Sequence, residues 1–236
     1  MGYAKIIKAC IPIQVAIFLV ASCSSLKPAI VPQVETALVE TAPADSSPGV
    51  APVLPEKSAL SPELPVIPDT PERILGTALV GADTLSAFFM QQNPKADQNY
   101  VRELAELYVE EADAEGVSHE VAFIQMCLET GFLSFRGVVT PDMNNFCGLG
   151  SLGPDKPGER FPSPRIGVRA HVQHLKGYAT EDPPVKELVD PRYRWIRYGS
   201  APVIADLAGR WASDPEYGSK LDGLLRRLYS FAFTKT

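Results

Sequence analysis

A chain of 236 residues with 45% hydrophobic side chains carries enough apolar material for one sizeable domain with appendages. Its 28 acidic against 22 basic residues leave a net charge of −6, and loss of an N-terminal leader holding Lys5 and Lys8 would make it more acidic still. That balance argues against nucleic acid as a partner, because binding a phosphate backbone requires a basic surface. A neutral or cationic polymer remains compatible with it.

Lys5 and Lys8 precede an apolar run from about Ala9 to Ala21, the plan of a secretory signal peptide and too short for a comfortable membrane span. The run closes in Val20-Ala21-Ser22-Cys23, which resembles the bacterial lipobox, whose cysteine is lipidated and becomes the new N-terminus. We therefore expect a signal peptide over residues 1–22 and a membrane anchor at Cys23. Ile6 stands where a myristoylation signal needs Ser or Thr. By resemblance to other lipoproteins, Ser24 after the cysteine points to the outer membrane, facing the periplasm, in a cell with two membranes.

Residues 23–71 are rich in Pro, Ala, Val, Ser and Glu without a sustained period, the composition of a disordered tether. Such a segment spans on the order of 40 Å as a coil and about 150 Å in polyproline form. The folded domain is expected over residues 72–236.

Thr70-Pro71-Glu72 reads as a helix start running towards Val80, and a second short helix is expected over 83–90. Val101, Leu104, Leu107, Tyr108 and Ala112 recur at helical spacing up to Gly116. Ser118 caps the next helix, which ends near Gly131 and places residues 122, 125, 126 and 129 on one face. After a loop rich in Gly, Pro and Asn, Ser163-Pro164 starts a helix to Ala179. Another is expected from Ser200 to about Ala212, and Asp214-Pro215-Glu216 caps the last. The fold class is mainly α, with at most a small β element.

Glu129 lies in the last turn of its helix, where the dipole and apolar neighbours both disfavour a carboxylate and raise its pKa. A carboxyl of that kind suits protonation of a glycosidic oxygen near neutral pH; the plainer reading is a hydrogen-bonded acid at a helix end. Cys127 and Cys147 fall in the folded part, and their spacing leaves a disulfide and two buried thiols both open. His171 and His174, three apart on a helix, have no evident third ligand and read as packing, so no metal is expected. Tyr193, Trp195 and Tyr198 read as an aromatic cluster between helices.

Four separated motifs, LETGF, NNFCGLG, FPSPRIGVRAHVQHLKGYA and WASDPEYGSKL, resemble in order those of the glucosaminidase family, glycoside hydrolase family 73, over about residues 83–230. The resemblance implies a lysozyme-like helical domain that cuts peptidoglycan without a cofactor. It implies Glu129 as catalytic acid and matches Asn145 and Tyr217 to family positions. Asn145, Phe146, Trp211 and Tyr217 are expected to bind the sugar. Two departures stand out: Trp211 occupies a position where many members have Tyr, and only a short segment separates Gly150 from Phe161 where many have a β-rich lobe. The second acid must then come from Asp142, Asp155 or Glu159, of which Glu159 is preferred because its loop must fold back beside the groove; otherwise the substrate's 2-acetamido group supplies the nucleophile.

The resulting expectation is an exported, lipid-anchored, monomeric endo-β-N-acetylglucosaminidase acting on peptidoglycan glycan strands. Cleavage after N-acetylmuramic acid, by a muramidase or lytic transglycosylase, is the rival within enzymes. A lipoprotein that binds glycan without cutting it is the rival outside them.

Overall fold

The structure is a computed structural model that describes residues 67–234. The leader, Cys23 and nearly all of the tether lie outside the described residues. Five helices carry the fold: α1 (Ala82–Gln92), α2 (Gln98–Glu115), α3 (His119–Thr130), α4 (Pro164–Ala179) and α5 (Tyr217–Phe233). None is long and apolar enough to cross a membrane.

Their ends follow local chemistry. The Asp97 side chain accepts the backbone N–H groups of Asn99 and Tyr100 at the start of α2, and Gly116 ends it in the left-handed conformation at φ +73°. Ser118 Oγ accepts the Val121 N–H at the start of α3, and Gly131 at φ +57° returns its N–H to Cys127 and Leu128. Ser163 caps α4, with Pro164 in its first turn.

Helix α3 is the axis of the domain, packed by α2 and α5 and touched by α1 and α4. Its residues 119–127 are buried, so only Leu128 and Glu129 in its last turn, before buried Thr130, reach solvent. Buried carboxylates fasten these elements to one another. Glu111 on α2 meets Arg165, Arg169 and Lys186 at 3.0, 2.8 and 3.0 Å. Glu115 takes Lys176 at 2.9 Å and the backbone N–H groups of Val185 and Lys186. Glu120 accepts the N–H groups of Leu79 and Val80 and the Tyr229 hydroxyl.

Two expected helices do not form. Residues 71–80 are extended: Arg73 and Leu75 bridge antiparallel to Val203 and Val117, and Ile74 exchanges backbone bonds with Pro202 and Ser118 at 3.1 and 2.9 Å. A Pro at a helix start is only a local signal; burying Ile74 completely against two other segments, with Gly76 and Gly81 interrupting any helix, outweighs it. Over 200–212 only the turn Ile204–Leu207 is helical. Pro202 and Val203 are engaged with the N-terminal segment, and Gly209 at φ +74° reverses the chain. Trp211 follows two residues later. The aromatic segment is also not wholly core: Tyr193 is buried, whereas Trp195 is exposed between the guanidinium groups of Arg192 and Arg194.

Cys127 and Cys147 are free and buried, which settles the open cysteine question in favour of two thiols. Burial raises the pKa of both well above the usual thiol range, so they stay protonated.

The closest backbone approach lies at Gly167 of α4, where a Cβ would stand 1.8 Å from the Asn144 carbonyl oxygen and 3.3 Å from the Phe146 ring. Gly167→Ala is expected to cost about 2–3 kcal/mol and lower Tm by about 5–10 °C, measured by thermal unfolding. An unchanged Tm would mean that this helix and loop do not meet as closely as described.

Candidate active site

Glu129 ends up at the edge because α3 stops immediately after it. Beyond Gly131 the chain turns through left-handed residues Phe132 and Leu133 at φ +54° and +58°, conformations that are costly outside glycine. The turn is held from several sides. Phe132 N–H bonds to the Cys127 carbonyl, Asn93 Nδ2 donates to the Phe132 carbonyl, and Leu133 N–H donates to Thr130 Oγ1. The Phe132 ring packs on Phe88 and Phe89.

Two donors converge on one oxygen of Glu129. Trp211 Nε1 donates to Oε1 at 2.9 Å, and the Tyr217 hydroxyl donates to the same Oε1. Oε2 has no hydrogen bond to the described residues. Burial raises the carboxyl pKa from 4.5 to about 7, while the bonds from Tyr217 and Trp211 act in the opposite direction. Among the described residues its hydrogen bonds come only from these two neutral donors. The neutral form is therefore substantially populated at neutral pH, with Oε1 occupied as an acceptor and Oε2 free to carry the proton.

Behind Glu129 the partners continue inward. Gln125, one turn earlier on α3, donates from Nε2 to the Tyr217 oxygen at 2.9 Å. Gln125 Oε1 lies 2.9 Å from His171 Nε2, and His171 Nδ1 lies 2.8 Å from the Tyr108 hydroxyl. Burial pushes the His171 pKa down to about 3, helped by His174, so its imidazole is neutral. Trp211 leans on His171, His174 and Tyr178, with ring centroids 5.6, 5.3 and 5.9 Å away. His174 is fixed in turn by Asp190 at 2.7 Å. The two histidines serve different networks.

Of the residues expected from sequence, the fold brings Trp211 and Tyr217 onto Glu129. Tyr217 is buried and Trp211 half-buried, so Tyr217 holds the acid rather than presenting a face to a ligand. Asn145 and Phe146 stand elsewhere. Asn145 is buried, accepts the Leu149 N–H at 2.8 Å, and donates to the carbonyls of Leu149 and Glu159 at 3.0 Å each. Its amide thereby clasps the two ends of the 149–159 loop. Phe146 is fully buried in the main core. Both side chains are thus buried, Asn145 within its loop and Phe146 in the core.

The loop closes on itself, with Glu159 N–H on the Leu149 carbonyl at 2.8 Å, and the Glu159 side chain lies against Gly150 and 4.0 Å from Arg192. Asp142 pairs with Arg160 and Thr140 on the surface, and Asp155 is exposed. The residues that sequence reasoning left as packing, or did not weigh, are Tyr108, Gln125, His171 and the His174–Asp190 pair. Gln125 alone had a usable signal, its position one turn before Glu129 on the same face.

Residues 105–230 match the family described as mannosyl-glycoprotein endo-beta-N-acetylglucosaminidase. A protein of Borreliella burgdorferi, described only as uncharacterised, is 39% identical over 149 residues, covering 63% of this chain and 73% of that one. No solved structure matches the chain. Because the family match spans more than half of the sequence and falls on the five-helix frame that carries Glu129, the chain belongs to the glucosaminidase family, mainly α and lysozyme-like, whose members are glycoside hydrolases of peptidoglycan glycan.

Proposed function

We propose that the chain is an endo-β-N-acetylglucosaminidase that cleaves the β-1,4 bond after N-acetylglucosamine in peptidoglycan, with Glu129 as general acid. The observation that carries this reading is the asymmetric carboxyl: Oε1 accepts from Trp211 and Tyr217, Oε2 is unengaged, and burial raises the pKa to about 7. Oε2–H would protonate the glycosidic oxygen as the C1–O bond breaks. The two donors on Oε1 bind the carboxylate more strongly than the acid, so their stabilisation grows as the proton leaves.

Glu129 is hydrogen-bonded by Trp211 and Tyr217 and by no second acid among the described residues, an arrangement that fits a substrate-assisted second half. The 2-acetamido oxygen would attack C1 and form an oxazolinium; water would then open it while returning a proton to Glu129. Glu159 acting as a base is the competing route and would require it, in the complex, to stand roughly 6.5–9.5 Å from Glu129. Trp211, half-buried beside Glu129, is the aromatic best placed to border a sugar. Asn145 and Phe146 act through the loop they hold. Under this reading residues 1–22 direct export, Cys23 is lipidated, and the tether carries the domain from the membrane to the wall.

Glu129→Gln is expected to reduce release of soluble fragments from purified peptidoglycan by about 10²–10⁴-fold while sacculus binding persists. Wild-type protein that binds sacculi and releases nothing would instead mark a binding module. Mass spectrometry of the products should find reducing-end N-acetylglucosamine; anhydromuramic ends would identify a lytic transglycosylase and muramic reducing ends a muramidase.

The raised pKa sets two signs. Turnover needs the protonated carboxyl, so kcat should fall about tenfold per pH unit above about 7. A carboxyl with a folded pKa above its unfolded value destabilises the fold progressively as pH rises from about 4.5 through about 7. Glu129→Gln should therefore raise stability by about 1–3 kcal/mol at pH 8 and change it little at pH 4, read from denaturant unfolding at both values. Separately, the full chain expressed in bacteria should incorporate labelled fatty acid, and Cys23→Ser should abolish incorporation; equal labelling would place the anchor elsewhere.

A further inference from the structure

Glu129, Tyr217, Gln125, His171 and Tyr108 form an unbroken series drawn from α3, α5, α3, α4 and α2. The carboxyl at one end reaches solvent, whereas the four residues behind it are buried. Each link is a donor meeting an acceptor, and the series can be satisfied in two opposite senses. In the outward sense Tyr108 O–H donates to His171 Nδ1, His171 Nε2–H to Gln125 Oε1, Gln125 Nε2–H to the Tyr217 oxygen, and Tyr217 O–H to Glu129 Oε1. In the inward sense the amide of Gln125 and the tautomer of His171 are reversed. Tyr217 then turns its proton away from Glu129.

The far end decides between them. Tyr108 is completely buried and its hydroxyl has one partner among the described residues, His171 Nδ1 at 2.8 Å. Donating to that nitrogen satisfies the O–H. Reversal would leave it buried without an acceptor, a loss the interior does not compensate. A neutral imidazole has one donor and one acceptor nitrogen, so it transmits the choice to Gln125.

Resting on the reading of Glu129 as the acid, we infer that Tyr108, His171 and Gln125 are positioning residues. They form a one-way hydrogen-bond relay that obliges Tyr217 to donate to Oε1 and thereby keeps the transferable proton on Oε2, towards the substrate. In the inward sense Oε1 could itself carry the proton and donate it to the Tyr217 oxygen, on the side away from the sugar. The relay thus selects which carboxyl oxygen is acidic. Burial keeps His171 neutral, with a pKa of about 3, so the relay holds its sense throughout the pH range in which Glu129 titrates.

The groups facing this chain do not compete with it. Glu129 acts on Cys147, Cys147 on Tyr217, and Cys127 and Cys147 on Tyr108, but burial keeps both thiols protonated. Tyr100 also faces Tyr108, and its own pKa is raised. His174 faces His171 from the same helix and is bonded to Asp190. Trp211 can only donate.

The test is Tyr108→Phe, which retains the ring packed on Phe123 and His171 and deletes only the hydroxyl. Loss of enforced donation to Glu129 should move the high-pH limb of kcat and the carbon-13 titration of the Glu129 carboxyl upward together, by about half to one pH unit. At pH 6 kcat should fall roughly threefold to tenfold with KM unchanged, as the proton spreads to Oε1. A lower Tm with both titrations unmoved would reduce Tyr108 to a packing residue and overturn the inference.

Nitrogen-15 spectra of the wild type supply a check that does not depend on the variant folding. His171 must show the Nε2–H tautomer and stay neutral at pH 5; the Nδ1–H tautomer or an imidazolium overturns the relay. The carboxyl titration also separates this inference from the proposed activity. A shift in Tyr108→Phe with an inactive wild type would leave the relay standing and sink the glycosidase assignment, whereas an active wild type with no shift would do the reverse.

Discussion

Keeping a carboxyl group at the edge of a dry helix end without a cation beside it is the constraint around which this domain is arranged. Glu111 and Glu115 expose less surface than Glu129, yet their pKa values fall, Glu111 to about 2, because arginine, lysine or backbone donors more than offset their desolvation. Glu129 has only two neutral donors, both on the same oxygen, and its pKa rises to about 7. Desolvation raises all three carboxyls, and their partners decide which of them falls below its ordinary value. Cationic partners make an acid into a fastening; neutral donors leave it able to give up and recover a proton.

The surrounding architecture serves that asymmetry. Burial of α3 along nearly its whole length fixes the direction in which its last turn projects. The left-handed turn at 131–133, tied to Asn93 and Thr130 and wedged by the Phe132 ring, ends the helix one turn before another residue could cover the carboxyl. Strain in non-glycine residues at such a place persists only where the neighbourhood over-determines it. The ion pairs of Glu111 and Glu115 meanwhile lock α2 to α4 and so hold Tyr108 and His171 at one spacing, which lets a chain of short hydrogen bonds link four helices without slack.

Much of this frame was legible in the sequence where the signal was local. Ser118 and Ser163 cap helices through atoms three residues away, and Gly116 and Gly131 end them by backbone conformation alone. Thr70-Pro71 and Ser200 misled because their segments are claimed by distant partners, Arg73 by Val203 and Ile74 by Pro202. Glu129 could be found because an acid following Ile124 and Leu128 breaks an apolar helical pattern. Asn145 and Phe146 have the chemistry of sugar ligands, and only tertiary burial shows them spent on a loop and a core. His171 could not be read as functional: its partners lie 46 and 63 residues away in sequence.

Trp211 makes physical sense of a departure that looks like a loss. A tyrosine hydroxyl there could donate or accept, and could follow the state of Glu129 in either direction. An indole N–H only donates. With Trp211 fixed on Oε1 at 2.9 Å, one of the two contacts to the acid has its sense determined by chemistry alone. The other, from Tyr217, has its sense determined by the buried chain behind it. His174, held by Asp190, then acts on geometry: its ring packs edge-on against the indole at 5.3 Å and restrains it. A carboxyl with no charged partner thus acquires two inequivalent oxygens, and that inequivalence is what a directed proton transfer to a glycosidic oxygen requires.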